Sequence, residues 1–190
     1  RDLGLELPGS PGPHNAITDV PGVKVGLTTV IDETSGVRTG VTAIVPREDV
    51  GRPQPVWAGQ ATLNGNGEMT GTHWIHDAGY FVGPVCITTT HSVGMVHHAA
   101  TRWMIDRFYG AFEEHHLWAM PVVAETHDGV LNDINGQHVT AEHALSALDN
   151  AKGGPIAEGG VGGGAGMICY EFKGGTGTSS RRVELDGETF

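Results

Sequence analysis

Between Gly159 and Gly166 the chain reads Gly-Gly-Val-Gly-Gly-Gly-Ala-Gly, six glycines in eight residues. Glycine loses more conformational freedom on folding than any other residue, so such a run is costly to hold in one place. It is unsuited to a helix interior or to the middle of a strand. It belongs in a loop where backbone passes close to another chain, to a substrate or to itself. A phosphate cradle of backbone N–H groups is one such use, and Gly162-x-Gly164 opens a partial dinucleotide pattern. That pattern needs a helix after it, whereas Met167 to Phe172 is strand-like, and no Walker lysine is present. Close backbone approach is the reading that survives.

Around this run the hydrophobic pattern alternates between two periods. Val23–Ile31 and Gly40–Pro46 are β-branched runs bounded by Gly and Pro, with turn residues between them, and read as an adjacent strand pair. Val56–Leu63 is a third strand candidate, stopping at Asn64-Gly65-Asn66-Gly67. Met69–Phe81 reads as helix and Pro84–Thr90 as strand. Val93, Val96, Ala100, Trp103 and Arg107/Phe108 then recur at spacings of three and four, one stripe of an amphipathic helix with Ser92 where an N-cap is wanted. Pro121–Glu125 is a buried strand, Thr140–Ala151 a helix capped by Thr140, and Met167–Lys173 a closing strand. Strands at both ends and alternation in the middle predict layered α and β structure with a mixed sheet.

Charge and composition narrow the function. With 11 Lys and Arg against 22 Asp and Glu, the net charge is −11. A surface of that sign repels phosphate backbones, so no nucleic acid partner is expected. No apolar run reaches the roughly 18 residues of a membrane span, and Arg1-Asp2-Leu3-Gly4 is not a signal peptide core. Cys86 and Cys169 each lie in a run that reads as a buried strand. Two free thiols are the expectation, a disulfide between them stays open, and a cytoplasmic location is slightly favoured.

The candidate chemistry is sparse. Eleven histidines include His73-x-x-His76 with Asp77 following, but zinc needs three or four ligands in a shaped site. The adjacent pairs His97-His98 and His115-His116 point about 100° apart on a helix and do not chelate as units. Asp133, Asn135, Gly136 and Glu142 fall at positions three, five, six and twelve of a calcium loop, but position one is Leu131, which has no oxygen ligand. No metal is therefore assigned. No Gly-x-Ser-x-Gly occurs; Thr90-His91-Ser92-Val93-Gly94 lacks the first glycine. Cys86 is too deep in an apolar strand for an obvious thiolate. Glu125 stands out, because Val122, Val123 and Ala124 deliver it to a strand end before Thr126-His127-Asp128-Gly129. A carboxylate there is placed to hold a cation such as a substrate amine, or is simply a solvated strand end.

Five stretches taken together resemble one family. They are Asn15-Ala16-Ile17-Thr18-Asp19-Val20-Pro21-Gly22-Val23, Leu63-Asn64-Gly65-Asn66-Gly67-Glu68, Pro121-Val122-Val123-Ala124-Glu125-Thr126, Lys152-Gly153-Gly154-Pro155-Ile156-Ala157-Glu158-Gly159 and Gly162 to Met167. In this order, over nearly the whole chain, they are similar to the DmpA-type aminopeptidases, the L-aminopeptidase/D-esterases and their β-aminopeptidase relatives. The resemblance implies an α/β fold, a four-layer α/β/β/α sandwich of the DmpA/ornithine acetyltransferase-like type. Residues 1–190 would be a single domain, most of the large subunit, completed by a small subunit cut from the same precursor at a Gly-Ser bond.

The implied nucleophile is the new N-terminal Ser of the small subunit, with its own amine as local base. That Ser, and the Asn that helps stabilise the oxyanion, would lie beyond Phe190. The implied substrates are short peptides, amides or esters, the assembly is a homo-oligomer of processed protomers, and no cofactor is implied. Carried onto this sequence, Glu125, Asn64, Glu68, Gly163 and Gly164 are the substrate-binding candidates, and His127 has a supporting catalytic role. Three positions depart from the pattern: Leu27 where His is usual, Met69 where Trp is common, and His127 where relatives carry Tyr or an apolar residue. They leave the preferred substrate open. A non-catalytic homologue on the same scaffold and a His-dependent metalloprotein are the competing function classes.

Overall fold

The structure is a computed structural model that describes residues 7–47 and 49–190; the segment Arg1 to Gly4 lies outside them. Strand β1 (Lys24–Asp32) turns through residues 33–36 into β2 (Val37–Val45). The two pair antiparallel along their whole length, from Lys24↔Val45 to Asp32↔Val37. A short β3 (Pro55–Trp57), helix α1 (Thr72–Ala78) and β4 (Tyr80–Val82) lead to β5 (Val85–Thr89). Helix α2 (Val93–His115) then crosses over to β6 (Val122–Thr126), which pairs parallel to β5 with Cys86 opposite Val123. The result is a mixed four-stranded sheet in the order β1-β2-β5-β6.

One face of this sheet is closed by α2 and by α3 (Ala141–Asp149). Val41, Ala43, Cys86 and Val123 from the strands meet Val96, Ala99, Ala100, Ala144, Ala147 and Leu148 from the helices in one core. The stripe expected on α2 is there, with Val93, Val96, Ala100 and Phe108 buried, although the helix is kinked at Phe108 (φ −121°, ψ 24°). Ser92 takes the N-cap position but makes no capping bond; its hydroxyl is buried without a partner among the described residues. At the start of α3 the Thr140 N–H donates to His143 Nδ1 at 3.1 Å.

The opposite face carries the glycine-rich run. Gly162–Gly164 form a single 3₁₀ turn laid directly on the strands. The Gly162 N–H donates to Thr29 Oγ1 (2.9 Å) and the Gly163 N–H to Thr42 Oγ1 (3.1 Å). A Cβ on Gly163 would sit 2.7 Å from the Ile87 carbonyl oxygen, closer than real Cβ atoms come to backbone. Gly162 also has φ +56°, so the run satisfies both close approach and a left-handed turn.

Four expectations need correction. The strand expected over Val56–Leu63 is only Pro55–Trp57, paired with β4; beyond it no strand of the described residues lies alongside, and Leu63 is 97% exposed. The helix expected over Met69–Phe81 is cut to Thr72–Ala78 by Gly71 and Gly79, both with φ near +75° (76° and 74°). The closing strand expected over Met167–Lys173 is a hairpin, β7 (Ile168–Cys169) and β8 (Phe172–Lys173), turned by Tyr170 and Glu171 at φ 49° and 68°. Cys169 is accordingly exposed, not buried, whereas Cys86 is fully buried and burial pushes its thiol up to about 12. The two cysteines are free. A last hairpin, β9 (Glu184–Leu185) and β10 (Glu188–Thr189), ends the chain.

Gly163→Ala in the full-length protein tests the backbone contact. The added methyl meets fixed sheet backbone, so a loss of about 1–3 kcal/mol is expected, read as a lower thermal midpoint. Gly59→Ala, with open space around it, should change stability by less than about 0.5 kcal/mol. Equal melting of the two variants would show that the loop is not seated on the sheet.

Candidate active site

In open α/β sheets ligands bind beyond the carboxyl ends of parallel strands. Here those are the ends of β5 and β6, where Thr89, Thr90 and Glu125 to Asp128 converge. Glu125, next to last in β6, is half-buried. Its Oε2 accepts a short hydrogen bond from Thr90 Oγ1, and its N–H donates to the Glu68 carbonyl at 2.9 Å. Gly67 lies over the other carboxylate oxygen; a Cβ there would approach Oε1 to 2.5 Å.

The segment 68–70 reaches this position because it is zipped onto the free edge of β6. Met69 bridges Ala124, the Thr70 N–H donates to the Val123 carbonyl (2.9 Å), and Thr70 Oγ1 accepts from the Val123 N–H (2.8 Å). Glu68 and Glu125 are thus joined through backbone. Asn64 is nearby in sequence but committed elsewhere: its Oδ1 accepts from the Asn66 N–H at 2.9 Å, an Asx turn in exposed chain.

Gly163 and Gly164 form a second group. With Thr42, Ile87, Thr126 and Met167 they line a cavity of about 660 Å³ on the glycine face of the sheet. Side chains alternate along a strand. Val123 faces the helices and Thr126 faces the cavity, so Glu125 lies on the helix side and does not line it. His127 follows β6 immediately and is exposed, its ring turned back toward Gly129. No hydrogen bond joins it to Glu125 among the described residues.

Two residues of this region, Asp128 and Thr90, escaped the sequence reading. Asp128 is only 1% exposed. Its Oδ1 accepts from Thr89 Oγ1 (2.7 Å) and Asn132 Nδ2 (3.1 Å), and its Oδ2 from Thr39 Oγ1 (2.7 Å). Asn132 in turn accepts the Arg38 N–H at 3.0 Å. An Asp-Gly pair after a strand signals a turn, and nothing local announces the two threonines, which lie 39 and 89 residues away. Thr90, the partner of Glu125, was missed for the same reason.

The metal candidates stay apart. Among the described residues no three His, Cys, Asp or Glu side chains could hold an ion together. His73 and His76 are exposed on α1. Asp133 accepts from His138 Nε2 at 2.9 Å, and that bond is the main reason its carboxyl titrates below the ordinary value. The residues at the calcium-like spacing form a turn instead, with Ile134–Gly136 a 3₁₀ turn. No helix of the described residues is long and apolar enough to cross a membrane.

Comparison with known proteins follows the same outline. The chain is 54% identical over 198 residues to the beta-peptidyl aminopeptidase BapA of Sphingosinicella microcystinivorans, a match that covers 100% of this chain and 48% of that protein. It superposes on the L-aminopeptidase D-Ala-esterase/amidase of Ochrobactrum anthropi, described as a variant of the Ntn hydrolase fold, with TM-score 0.94 and 56% identity. That likeness covers 99% of this chain and 54% of the other. A beta-aminopeptidase of Burkholderia sp. gives TM-score 0.85 and 50% identity over 96% of this chain and 52% of that one. The expected α/β sandwich class is borne out; the described residues show a mixed sheet with helices on one face. The chain spans about half the length of the relatives it matches. With residues 15–190 fitting the pattern of peptidase family S58, the chain belongs to that family.

Proposed function

We propose that this chain is the large-subunit portion of a self-processing aminopeptidase whose N-terminal Ser nucleophile lies on a small subunit from the same precursor. The observation that carries the reading is the Glu125 carboxylate, half-buried at the carboxyl end of β6 and oriented by Thr90. The names of its relatives, a beta-peptidyl aminopeptidase, a beta-aminopeptidase and an L-aminopeptidase D-Ala-esterase/amidase, supply the reaction class. Glu125 grips the free ammonium of the substrate and so fixes the adjacent carbonyl against the incoming Ser. The Ser oxygen attacks that carbonyl, its proton passes through the Ser amine to the leaving amine, and water then hydrolyses the acyl-enzyme. Glu68 borders the ammonium site, Asn64 shapes the turn that carries the chain to it through its bond from the Asn66 N–H, and the backbone of Gly163 and Gly164 forms the wall against which the rest of the substrate lies. His127 donates an N–H toward the reacting carbonyl or the leaving group. The chain acts as one domain, in a cytoplasmic homo-oligomer of processed protomers, on short peptides, amides or esters.

Three measurements test this reading. The isolated 190-residue chain should not turn over an aminoacyl p-nitroanilide, because the proposed nucleophile belongs to the small subunit; activity that survives repurification would overturn the assignment. In the complete, processed enzyme Glu125→Gln should lower kcat/KM by about 10–150-fold, the value of a charge-assisted hydrogen bond of roughly 1.5–3 kcal/mol. N-acylated substrates, which lack the cation, should already be poor for the unmutated enzyme. Normal turnover of free-amine substrates by Glu125→Gln would make Glu125 a structural strand end. Finally, His127→Phe should lower kcat by at least about tenfold, within the cost of losing one donor to developing charge, with KM nearly unchanged. Unchanged kcat and KM would leave His127 with no part in the reaction.

A further inference from the structure

Three of the four tryptophans, Trp57, Trp74 and Trp118, line one cleft together with Tyr80. Their rings meet edge to face in a row: Trp57 to Tyr80 at 6.5 Å, Tyr80 to Trp74 at 5.5 Å, Trp74 to Trp118 at 6.3 Å. These rings do not fill a core, since Trp57 is 82% and Trp118 61% exposed. The cleft holds about 500 Å³, inside the range of roughly 300–1,000 Å³ for small-molecule sites. Val82 and Met120 place it beyond the amino ends of β5 and β6. Five residue steps of extended chain lead from Met120 to Glu125, about 16 Å at roughly 3.3 Å per residue. The cleft is therefore separate from the candidate active site.

Its single charged wall among the described residues is Arg47. Arg47 also borders an adjoining cleft that holds Lys24, Arg52 and Arg107. Arg107 is engaged by Asp49 at 2.7 Å and lies 5.1 Å over the Trp103 ring, while Asp149 accepts from the Trp103 indole N–H at 2.8 Å. Lys24, Arg47 and Arg52 have no ion pair among the described residues. On a chain of net charge −11, this is a local cationic spot beside an aromatic wall. Aromatic rings alone favour an ammonium; like-charge repulsion from Arg47 selects against one. A planar apolar body with a negative end fits both walls.

We propose that this cleft binds an arylalkyl carboxylate, its ring among Trp57, Trp74, Tyr80 and Trp118 and its carboxylate on the Arg47 guanidinium, where a bidentate charge-assisted pair is available. The test uses the processed full-length protein, with 3-phenylpropionate titrated by tryptophan fluorescence and calorimetry, and 3-phenylpropanol and 3-phenylpropylamine as controls. Saturable binding of the carboxylate, at least tenfold tighter than either control, is expected. Arg47→Gln should weaken the carboxylate by tenfold or more, leave the alcohol unchanged, and leave aminopeptidase turnover unchanged. No saturable binding, equal affinity for the three probes, or an unaffected Arg47→Gln would overturn the proposal. So would tryptophans that acrylamide fails to quench in the unliganded protein, because the cleft would then be covered by the rest of the protein.

Discussion

The buried carboxylate of Asp128 ties together the end of the sheet on which the candidate site stands. A carboxylate removed from water is costly unless its oxygens are satisfied by donors. Here two threonine hydroxyls and an asparagine amide satisfy them, one from β2, one from β5 and one from the loop after β6. Asn132 closes the circuit by accepting the Arg38 N–H. Three segments far apart in sequence are held to one point, and the chain leaving β6 has little freedom there. Glu125 and His127 are therefore carried by a fixed strand end, although one is half-buried and the other exposed.

A second constraint sets what can lie across the sheet. Thr29 and Thr42 point to the glycine face, and their hydroxyls accept N–H groups of Gly162 and Gly163. A side chain at Gly162 or Gly163 would push the turn off the strands, because the first atom met is the Thr42 hydroxyl or the Ile87 carbonyl oxygen. The glycines thus serve two ends at once. They seat the turn on β1, β2 and β5, and they leave the cavity wall formed by Gly163 and Gly164 without side chains. The costly glycine run follows from packing backbone on backbone, which is the reading the composition of that segment favoured.

Legibility in the sequence followed the strength of local signals. The α2 stripe from Val93 to Phe108 and the short apolar runs of β5 and β6 were readable because burial on a fixed face imposes a period or an unbroken apolar stretch. The β1–β2 pair was readable from its β-branched runs and the turn residues between them. The hairpin at Met167–Lys173 was not, because its turn is made by Tyr170 and Glu171 at positive φ rather than by Gly or Asn. Gly71 and Gly79 shortened α1 in a way that a helix period with two tolerated glycines did not announce. At the site, Glu125 was marked by its place at the end of an apolar run. Thr90 and Asp128 were not marked, since their meaning depends on partners that only the folded chain brings near.

The faces of β6 constrain the proposed chemistry further. Glu125 belongs to the helix face and Thr126 to the glycine face, so the Glu125 carboxylate and the Gly163–Gly164 cavity are on opposite sides of one strand. A substrate held by both has to cross the carboxyl end of β6, where the sheet stops. The chain at that crossing is Thr126-His127. Thr126 is fixed by a hydrogen bond from its hydroxyl to Met167 Sδ, and the backbone after His127 by the Asp128 circuit. Between two anchored neighbours the exposed His127 is the side chain with freedom to turn toward a molecule passing over the strand end. In the proposed reading the scissile carbonyl, separated from the ammonium nitrogen by only one or two carbons, comes to rest at that crossing. The nucleophile must then arrive from outside the sheet's edge, a direction this chain leaves to the rest of the protein.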